Sequence, residues 1–469
     1  MRPGPLLAAA SALTLVGCVA GPVPNIATPP PELPGRFLYA PEGGTAVALD
    51  ALLPASDPAF AALSAQALAA SPTLGEAAAR VEQARAGASR AAAERLPNVG
   101  ANAAVTGSRT NPAQFGGTLP PGINVDAERV SYATNLTARW DPDIFGRLRA
   151  QERAALARTD AADATARGVR LALIAEIAAS VVDWRTLAAR ETALREDLDS
   201  AESLARLSEV RERAGLAPDF DRVRAESSAA TSRSRLAALE SERVRLIGRL
   251  VTLTAQDAAE LRSALALTPP TPSEPAAPPA ALPSQLLVNR PDVLAAAAAL
   301  AAEDAELAAA ARRRFPAFDL SATIGLLAFG PGNLFDAESV VGSLAASVAA
   351  PLLDFGRIES EIDGAAAEKK AAFEAYRGAV YAALGDAEAA YGLVAASERE
   401  ATAAAEEAAK LRRAAQLAEM RQRAGLADFL TVLEARRAAD ASGERAASAR
   451  GRALRARVVL WQALGGGGR

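Results

Sequence analysis

Two stretches of the chain alternate apolar and polar residues with a period of two, the pattern of a β-strand. The even positions from Val130 to Trp140 are mostly apolar, and a similar alternation runs from Phe318 to Leu326. Val99–Val105 and Val340–Ala350 alternate less regularly and supply a partner for each. The pattern predicts two β-hairpins with strands of about ten residues, the length that crosses a bilayer when tilted. A half-buried sheet on a soluble core is the alternative.

A much longer segment with helical spacing follows each predicted hairpin. "FGR" occurs at 145–147 and 355–357, and "RAGLA" follows at 213–217 and 423–427, with no Pro and little Gly between them. Apolar residues recur there every three or four positions, as at Leu173, Ile177 and Val181. A helix of this length reaches roughly 100 Å and needs coiled-coil partners. A second helix follows each "RAGLA", so each segment is predicted to be an αα-hairpin.

These landmarks also indicate an internal two-fold repeat. "FGR" and "RAGLA" recur with one common offset, whereas Pro72/Pro291 and Pro97/Pro316 recur with a slightly larger one. The first copy therefore carries about nine extra residues, which we place in an exposed loop at roughly 109–128, matched by a shorter loop at 328–338. We expect a first repeat at 71–267, a Pro-rich linker at 268–288 and a second repeat at 289–469, each with a helix, a β-hairpin and a long αα-hairpin. The first helix is expected to start at the capping-box spacing of Thr73–Glu76.

The start of the chain has the organisation of a secretory signal. Arg2 precedes an apolar run from Leu6 to Val16, and "LVGC" at 15–18 resembles a bacterial lipobox. We expect a signal peptide at 1–17, lipidation of Cys18 and a Pro-rich tether at 18–70 that need not pack into a core. An ordinary signal with an incidental cysteine is the alternative. By analogy with bacterial sorting rules, Val19 after the cysteine suggests the outer membrane.

Composition narrows the possible chemistry. The chain has 469 residues, with 51 Lys and Arg against 55 Asp and Glu, and it contains no His and one Cys. The balanced charge gives no reason to expect nucleic acid as a partner. The absence of His excludes Ser-His-Asp and Cys-His catalytic sites and His-based metal sites. We find no glycine-rich phosphate-binding motif. The sequence therefore predicts neither an enzyme nor a cofactor.

The predicted elements do not form a closed structure within one chain. Two hairpins supply four strands, and an open sheet edge in lipid leaves unpaired backbone groups that cost several kcal/mol each. Two copies would give eight strands, and side chains largely fill the interior of an eight-stranded barrel. Three copies give twelve strands, which leave room for a water-filled bore. The same three-fold arrangement would place six αα-hairpins in a ring, where they would form a tube. The sequence therefore favours a trimeric conduit.

Several motifs together resemble the TolC-like outer-membrane efflux proteins, specifically their OprM/NodT-type lipoprotein branch. The resemblance covers about 71–468 and rests on "LVGC", both copies of "RAGLA" and four further stretches: "WDPDIFGRLRA" (140–150), "LLVNRPDV" (286–293), "PLLDFGR" (351–357) and "WQALGGG" (461–467).

This resemblance implies a mixed α and β fold that forms a homotrimeric channel-tunnel. A 12-stranded transmembrane β-barrel, with four strands per chain, continues into a long periplasmic α-helical coiled-coil barrel. The implied function is passive export of small molecules through the outer membrane, with a periplasmic membrane-fusion adaptor protein and an inner-membrane resistance-nodulation-division pump as partners. A channel for protein (type I) secretion and a lipid-anchored periplasmic spacer without a pore are the alternatives. The alternating strands argue against the spacer.

The predicted strand register assigns side chains to two environments. The lipid-facing side chains are expected to be Tyr132, Leu136, Trp140, Phe318, Leu320 and Ile324. The bore-facing side chains are expected to be Asn135, Arg139, Asp319 and Thr323. In the alternative interpretation, the six side chains expected to face lipid would face a soluble core instead.

The two "RAGLA" turns are the second group of candidate site residues. Gly215 and Gly425 permit the positive φ that ends a helix, and this structural role alone is one interpretation. The functional interpretation is that small apolar groups at the tips contact the adaptor, namely Leu216, Ala217, Leu426 and Ala427. The resemblance also implies an acidic ring at the periplasmic mouth formed by Glu434, for which Asp219 and Asp221 are weaker candidates by proximity. The alternative is that Glu434 belongs to an ordinary solvated helix face.

Overall fold

The computed structural model describes residues 24–41, 49–109, 111, 128–267 and 277–466. The expected signal peptide, Cys18 and most of the first predicted loop lie outside these residues. The described elements follow one another in this order: α1 (Pro58–Ala70), α2 (Pro72–Ala93), β1 (Asn98–Arg109), β2 (Glu128–Trp140), α3 (Arg147–Arg213), α4 (Asp219–Thr254), α5 (Ala258–Leu265), α6 (Pro283–Asn289), α7 (Pro291–Ala311), β3 (Ala317–Ala328), β4 (Val340–Ala349), α8 (Arg357–Arg423) and α9 (Phe429–Ala463).

The elements of the two halves have closely matched lengths and spacing. α3 and α8 each contain 67 residues, and each begins at the arginine of its "FGR". β1 and β3 each contain 12 residues, and each begins directly after its landmark proline, Pro97 or Pro316. The two β-hairpins also share one register, because Leu136 lies opposite Ala101 in the first and Ala346 lies opposite Leu320 in the second. The elements therefore keep both offsets of the sequence landmarks.

One compact unit contains the strands, and it comprises the described residues of 24–28, Glu82–Asp160 and Ala298–Glu374. Its four strands form a single antiparallel sheet in the order β1-β2-β3-β4. The buried cluster of this unit lies between helices, where Leu307 of α7 packs against Ile358 and Ile362 of α8. β1 and β4 are exposed along their whole length. The strands therefore form no buried core within the described chain.

The joints between strand and helix are stabilised by carboxylate caps. Asp143, at φ 49°, accepts hydrogen bonds from the backbone N–H groups of Leu148 and Arg149, at 2.8 and 2.9 Å. Asp354 similarly accepts from the N–H of Ile358 at 2.9 Å. Both carboxylates lie at a helix N-terminus, where the unpaired N–H groups and the helix dipole favour an anion.

The second compact unit comprises Pro29–Val81, Ala161–Ala297 and Ala375–Arg469 and holds the largest hydrophobic core. Long helices supply most of the buried side chains, among them Ile177 of α3, Leu250 of α4, Tyr391 of α8 and Trp461 of α9. Tyr391 also donates a hydrogen bond to the carbonyl of Pro279 at 2.7 Å. Burial raises the pKa of its phenol. This side chain thereby holds the segment between the two halves against the core.

The structure corrects the expectation of an unpacked tether through residue 70. α1 lies within that range, and its residues Phe60, Leu63 and Ala67 are buried in the core of the second unit. The side chain of Asp57 caps α1 through the N–H of Ala59, and its carboxylate also accepts hydrogen bonds from Arg185 of α3. The apolar spacing of three and four residues in α1 is a helical signal, which the neighbouring Pro-rich composition obscured.

Two smaller boundaries also differ from expectation. α2 begins at Pro72 and not at Thr73, because proline is well suited to the first helical position. The segment expected to end the linker is partly helical, since α6 spans Pro283–Asn289 and buries Leu286. Both helices begin at a proline, Pro72 or Pro283.

Candidate functional site

The strand register places the six predicted lipid-facing side chains on one face of the sheet. Directly opposed residues of an antiparallel pair point to the same face, and Leu136 lies opposite Ile324 while Trp140 lies opposite Leu320. The outer strands add four more apolar residues to this face: Val99, Val105, Leu344 and Val348. Leu344 is 85% exposed and Ile324 is 61% exposed. A continuous exposed apolar surface of this kind marks an interaction site.

Trp140 lies at the end of this apolar face. Its indole N–H donates to the carbonyl of Arg95 at 2.9 Å, and its side chain is partly exposed. A ring with an apolar body and a satisfied polar tip suits the boundary between lipid and water.

The opposite face of the sheet is polar. Asn135, Arg139, Asp319 and Thr323 all lie there, as the alternation predicts. The hydroxyl of Thr323 lies 3.4 Å from that of Thr137 on β2. Gly325 lies opposite Asn135, and a Cβ at this glycine would overlap the Asn135 carboxamide and the neighbouring backbone. The polar face thus has side chains suited to water along both central strands.

Both outer strands have an open edge. In the part of the chain that the structure describes, β1 pairs with β2 alone and β4 pairs with β3 alone. The outward N–H and C=O groups of an edge strand favour pairing with another strand. An apolar face and two open edges on one sheet are consistent with a sheet that another chain completes.

The two predicted helix-hairpin tips have nearly identical backbone geometry. Gly215 has φ 67° and Gly425 has φ 73°. The N–H of Leu216 donates to the carbonyl of Arg211 at 2.8 Å, and the N–H of Gly215 donates to that of Glu212 at 2.8 Å. Leu426 and Gly425 repeat both bonds with residues 421 and 422. This is the Schellman motif, in which glycine takes the left-handed conformation after the last helical turn.

The tips differ in what they expose beyond the turn. Leu216 and Leu426 are 71% and 69% exposed, while Ala217 and Ala427 are half-buried. Phe220, at the start of α4, is also exposed, whereas Phe429, at the start of α9, is buried against Ala225 of α4. The first tip therefore presents more apolar surface than the second.

Two of the candidate carboxylates for the acidic ring, Glu434 and Asp219, each lie close to an arginine of the same chain. Glu434 of α9 lies 3.7 Å from the guanidinium of Arg224 on α4, and its side chain is well exposed. Asp219 accepts from Arg222 at 3.0 Å. Asp221 lies in the first turn of α4, where a negative side chain is favourable.

Sequence reasoning missed Arg224, although it lies as far beyond the first "RAGLA" as Glu434 lies beyond the second and so occupies the matching position. It also missed Asp428, whose carboxylate caps α9 by accepting from the N–H of Thr431 at 2.8 Å. Hydrogen bonds from the side chain and backbone of Thr431 lower the pKa of Asp428.

Among the described residues, no helix is both long and apolar enough to cross a membrane. No group of three or more acidic, His or Cys side chains there is arranged to hold a metal ion.

The chain matches a known family over most of its length. A model described as outer membrane efflux protein matches residues 63–256 and 282–466, one segment in each half. The pyoverdine export outer membrane protein OpmQ of Pseudomonas aeruginosa is 32% identical over 415 residues, which cover 87% of this chain and 85% of that protein. Outer membrane protein OprJ of the same organism is 30% identical over 400 residues, covering 82% and 80% of the two chains.

A solved structure shares the fold. The outer-membrane channel OprN superposes with a TM-score of 0.82 at 26% identity, and the match covers 95% of this chain and 98% of that one.

Proposed function

The chain belongs to the outer membrane efflux protein family, and we propose that it is the outer-membrane channel of a tripartite efflux system, a passive conduit for small molecules. Its relatives are named as outer-membrane components of pyoverdine export and of solvent and toluene efflux pumps. The family is one of outer-membrane channels and not of enzymes. A periplasmic adaptor protein and an inner-membrane pump are the partners that this position requires.

The observation that carries the proposal is the two-faced sheet. One face is apolar and exposed along four strands, and the other carries the polar groups Asn135, Asp319 and Thr323. In a bilayer the apolar face contacts lipid and the polar face contacts a water-filled bore. Four strands are too few to close around a bore, and an open edge in lipid is costly. Three copies supply twelve strands, which close with a bore.

We infer that the two halves of the chain are an internal repeat, which sets how neighbouring copies pair. Within the chain, β2 of the first half pairs with β3 of the second half, with Leu136 opposite Ile324. The residue that matches Leu136 in the other half is Ala346 of β4, and the residue that matches Ile324 is Val105 of β1. We therefore propose that β4 of one copy pairs with β1 of the next, with Ala346 opposite Val105. Both residues lie on the apolar face, so this register keeps the two faces continuous.

The joints between strand and helix support the same arrangement. Phe145, at the first joint, stacks on Phe315 with ring centroids 4.8 Å apart. The matching Phe355 of the second joint is 92% exposed, and Leu96, which matches Phe315, is 65% exposed. Burying two such side chains is worth roughly 1.5–3 kcal/mol each. We propose that Phe355 packs on Leu96 of the neighbouring copy.

The remaining site residues have roles that follow from this placement. The exposed Leu216 and Leu426 at the tips, with Ala217 and Ala427 beside them, offer apolar contacts to the adaptor. Cys18 lies outside the described residues, and we propose that it carries the lipid anchor at the outer membrane. Changing Cys18→Ser should abolish labelling by radioactive palmitate, and labelling of the variant would overturn that assignment.

Conductance of the purified protein in a planar bilayer tests the channel directly. We expect discrete single-channel steps with cation selectivity, since Glu434 places negative charge near the tips. Glu434→Ala should lower that selectivity. The matched control is Glu406→Ala, an exposed glutamate of α8 paired only weakly with Lys410, at 3.9 Å.

Protein that inserts but never conducts would contradict the channel. Unchanged selectivity in the Glu434 variant would remove the acidic ring and leave the channel in place.

A further inference from the structure

A cavity lies beside the joint between β2 and α3, next to the connection that leads from α7 into β3. Its volume is about 320 Å³, and its lining residues fall within 141–147 and 312–318. Both stretches belong to the unit that contains the strands. One wall of the cavity is apolar and the other is basic.

The apolar wall continues the apolar face of the sheet. Phe145 stacks on Phe315 with ring centroids 4.8 Å apart, and its ring lies 6.3 Å from that of Phe318. Phe318 is itself on the apolar face, near the start of β3. Ile144, which also lines the cavity, is 55% exposed. A hydrocarbon chain lying along the apolar face could therefore reach the cavity without leaving apolar surface.

The basic wall holds a guanidinium without a counter-charge. Arg312 donates one hydrogen bond, from Nη1 to the carbonyl of Ala308 at 2.8 Å. No carboxylate of the described residues pairs with it, and a guanidinium has five N–H donors. Its Nε lies 3.6 Å from the place that a Cβ on Gly146 would occupy. Glycine at this position therefore leaves room for the guanidinium against the joint.

Each of the other charged side chains that line the cavity has an ion-pair partner within the chain. The pairs are Arg147 with Asp141 at 3.0 Å, Arg313 with Glu361 at 2.7 Å, and Arg149 with Asp143 at 3.5 Å. Because each pair is neutral as a whole, Arg312 leaves one positive charge at the cavity.

The matching position in the other half of the inferred repeat lacks this charge. Arg312 lies four residues before Pro316, and Ala93 lies four residues before Pro97. The next residue changes sign, since Arg313 is matched by Glu94. The basic wall is therefore a property of one joint and not of the architecture that both halves share.

The position of the cavity indicates what would occupy it, and this step rests on the proposed function. In the proposed channel the helices are periplasmic, so the end of the apolar face near Trp140 and Phe318 meets the periplasmic leaflet of the outer membrane. Phospholipids there present phosphate groups at the boundary and hydrocarbon beyond it. β2 and β3 are the two central strands of the sheet, which places the cavity away from the proposed seam between copies.

We propose that this cavity binds the headgroup of an anionic phospholipid, with Arg312 on the phosphate and with Ile144, Phe145 and Phe318 against the start of the acyl chains. A guanidinium suits phosphate because its planar fork of N–H donors makes two parallel hydrogen bonds to phosphate oxygens. The acyl chains stay on the apolar face, so the charged groups remain at the boundary with water. Three copies would hold three such lipids at the height of the joints.

Lipid binding to the full-length protein in detergent, measured by native mass spectrometry, tests the site. Phosphatidylglycerol should bind roughly 10- to 100-fold more weakly to Arg312→Ala than to wild type, because loss of a hydrogen bond between charged groups changes an affinity by about that factor. Diacylglycerol with the same acyl chains carries no phosphate and should bind both proteins weakly.

Matched variants separate the charge from the fold. Arg312→Lys keeps a positive charge and should retain part of the affinity. Arg312→Gln serves if the alanine variant folds poorly, and it should also bind the lipid weakly. Arg412→Ala removes an exposed arginine of α8 outside the cavity and should bind phosphatidylglycerol like wild type.

Equal affinity of wild type and Arg312→Ala for phosphatidylglycerol, or equal binding of diacylglycerol, would overturn the site. Displacement of the lipid by millimolar inorganic phosphate would indicate a site for free anions and overturn the assignment to lipid. Phosphatidylglycerol binding that appears only in Cys18→Ser would assign the cavity to the chain's own anchor, with the same consequence.

Conductance of the same variants keeps this result apart from the proposed function. Arg312 lies beside the apolar face and not on the polar face, so its variants should conduct like wild type. Conducting protein without the expected lipid preference would refute the site alone. Protein that binds phosphatidylglycerol through Arg312 but never conducts would refute the channel alone.

Discussion

At the residue scale, single backbone and side-chain positions decide how the long helices end and how they are joined. Gly215 and Gly425 take a positive φ with nothing within 4 Å of the place that a Cβ would occupy. Backbone conformation and not crowding is therefore what requires glycine at these two turns. Asp143 and Asp354 act at the opposite ends of the same long helices, where they cap the first free N–H groups.

Replacing Gly215 with alanine should destabilise the protein by about 1 kcal/mol per site, since a left-handed conformation costs an L-residue roughly that amount. Gly248→Ala is the matched control, because Gly248 lies within α4 with nothing within 4 Å of a new Cβ. Alanine is the better helix former there, so the control should be neutral or stabilising. The midpoint of denaturant unfolding ranks the two, and a Gly215 variant at least as stable as the Gly248 variant would refute the argument.

Residue-level features were recoverable from the sequence only where their cause is local. "RAGLA" predicted both glycine turns, because helix termination depends on the residues beside it. The Arg224–Glu434 pair left no such signal, since its members lie on different helices and each resembles a charge on an ordinary solvated face. The two residues nevertheless occupy matching positions of the two halves.

At the element scale, strand periodicity was the most informative pattern. The alternation from Val130 to Trp140 predicted both the strand and its two faces, because a period of two directly assigns alternate side chains to opposite faces. α1 was missed, since Phe60, Leu63 and Ala67 follow a Pro-rich stretch that suggested irregular chain. This helix is stabilised by burial against the core of the second unit. The sequence of a short segment does not by itself indicate such burial.

Cysteine accessibility tests the two faces of the sheet. In membranes, cysteines at Asn135 and Thr323 should react with a water-soluble thiol reagent, because both positions lie on the polar face. Cysteines at their sequence neighbours Leu136 and Ile324 should remain protected by lipid, and these neighbours serve as matched controls. The opposite pattern of reactivity would reverse the assignment of bore and lipid.

At the scale of the whole molecule, several surfaces of the single chain have no partner among its described residues, and they indicate that further copies cover them. The sheet has two open edges, an exposed apolar face and a second joint whose Phe355 is uncovered. The first half meets the second within the chain through β2 and β3. An internal repeat reproduces that contact between the end of one copy and the start of the next, so a head-to-tail ring closes when the rotation per copy allows it.

Disulfide cross-linking across the proposed seam between β4 and β1 is the most direct test of the channel's assembly. Oxidation of a chain carrying both Ala346→Cys and Val105→Cys should produce covalent species of two and three copies and none larger. Each single variant controls for Cys18. The pair Ala346→Cys with Ala101→Cys controls for register, because Ala101 lies farther along the same face of β1. Covalent trimers from the in-register pair alone are the predicted result. Monomers only, equal cross-linking of the displaced pair, or a ladder beyond three copies would contradict the closed three-copy barrel.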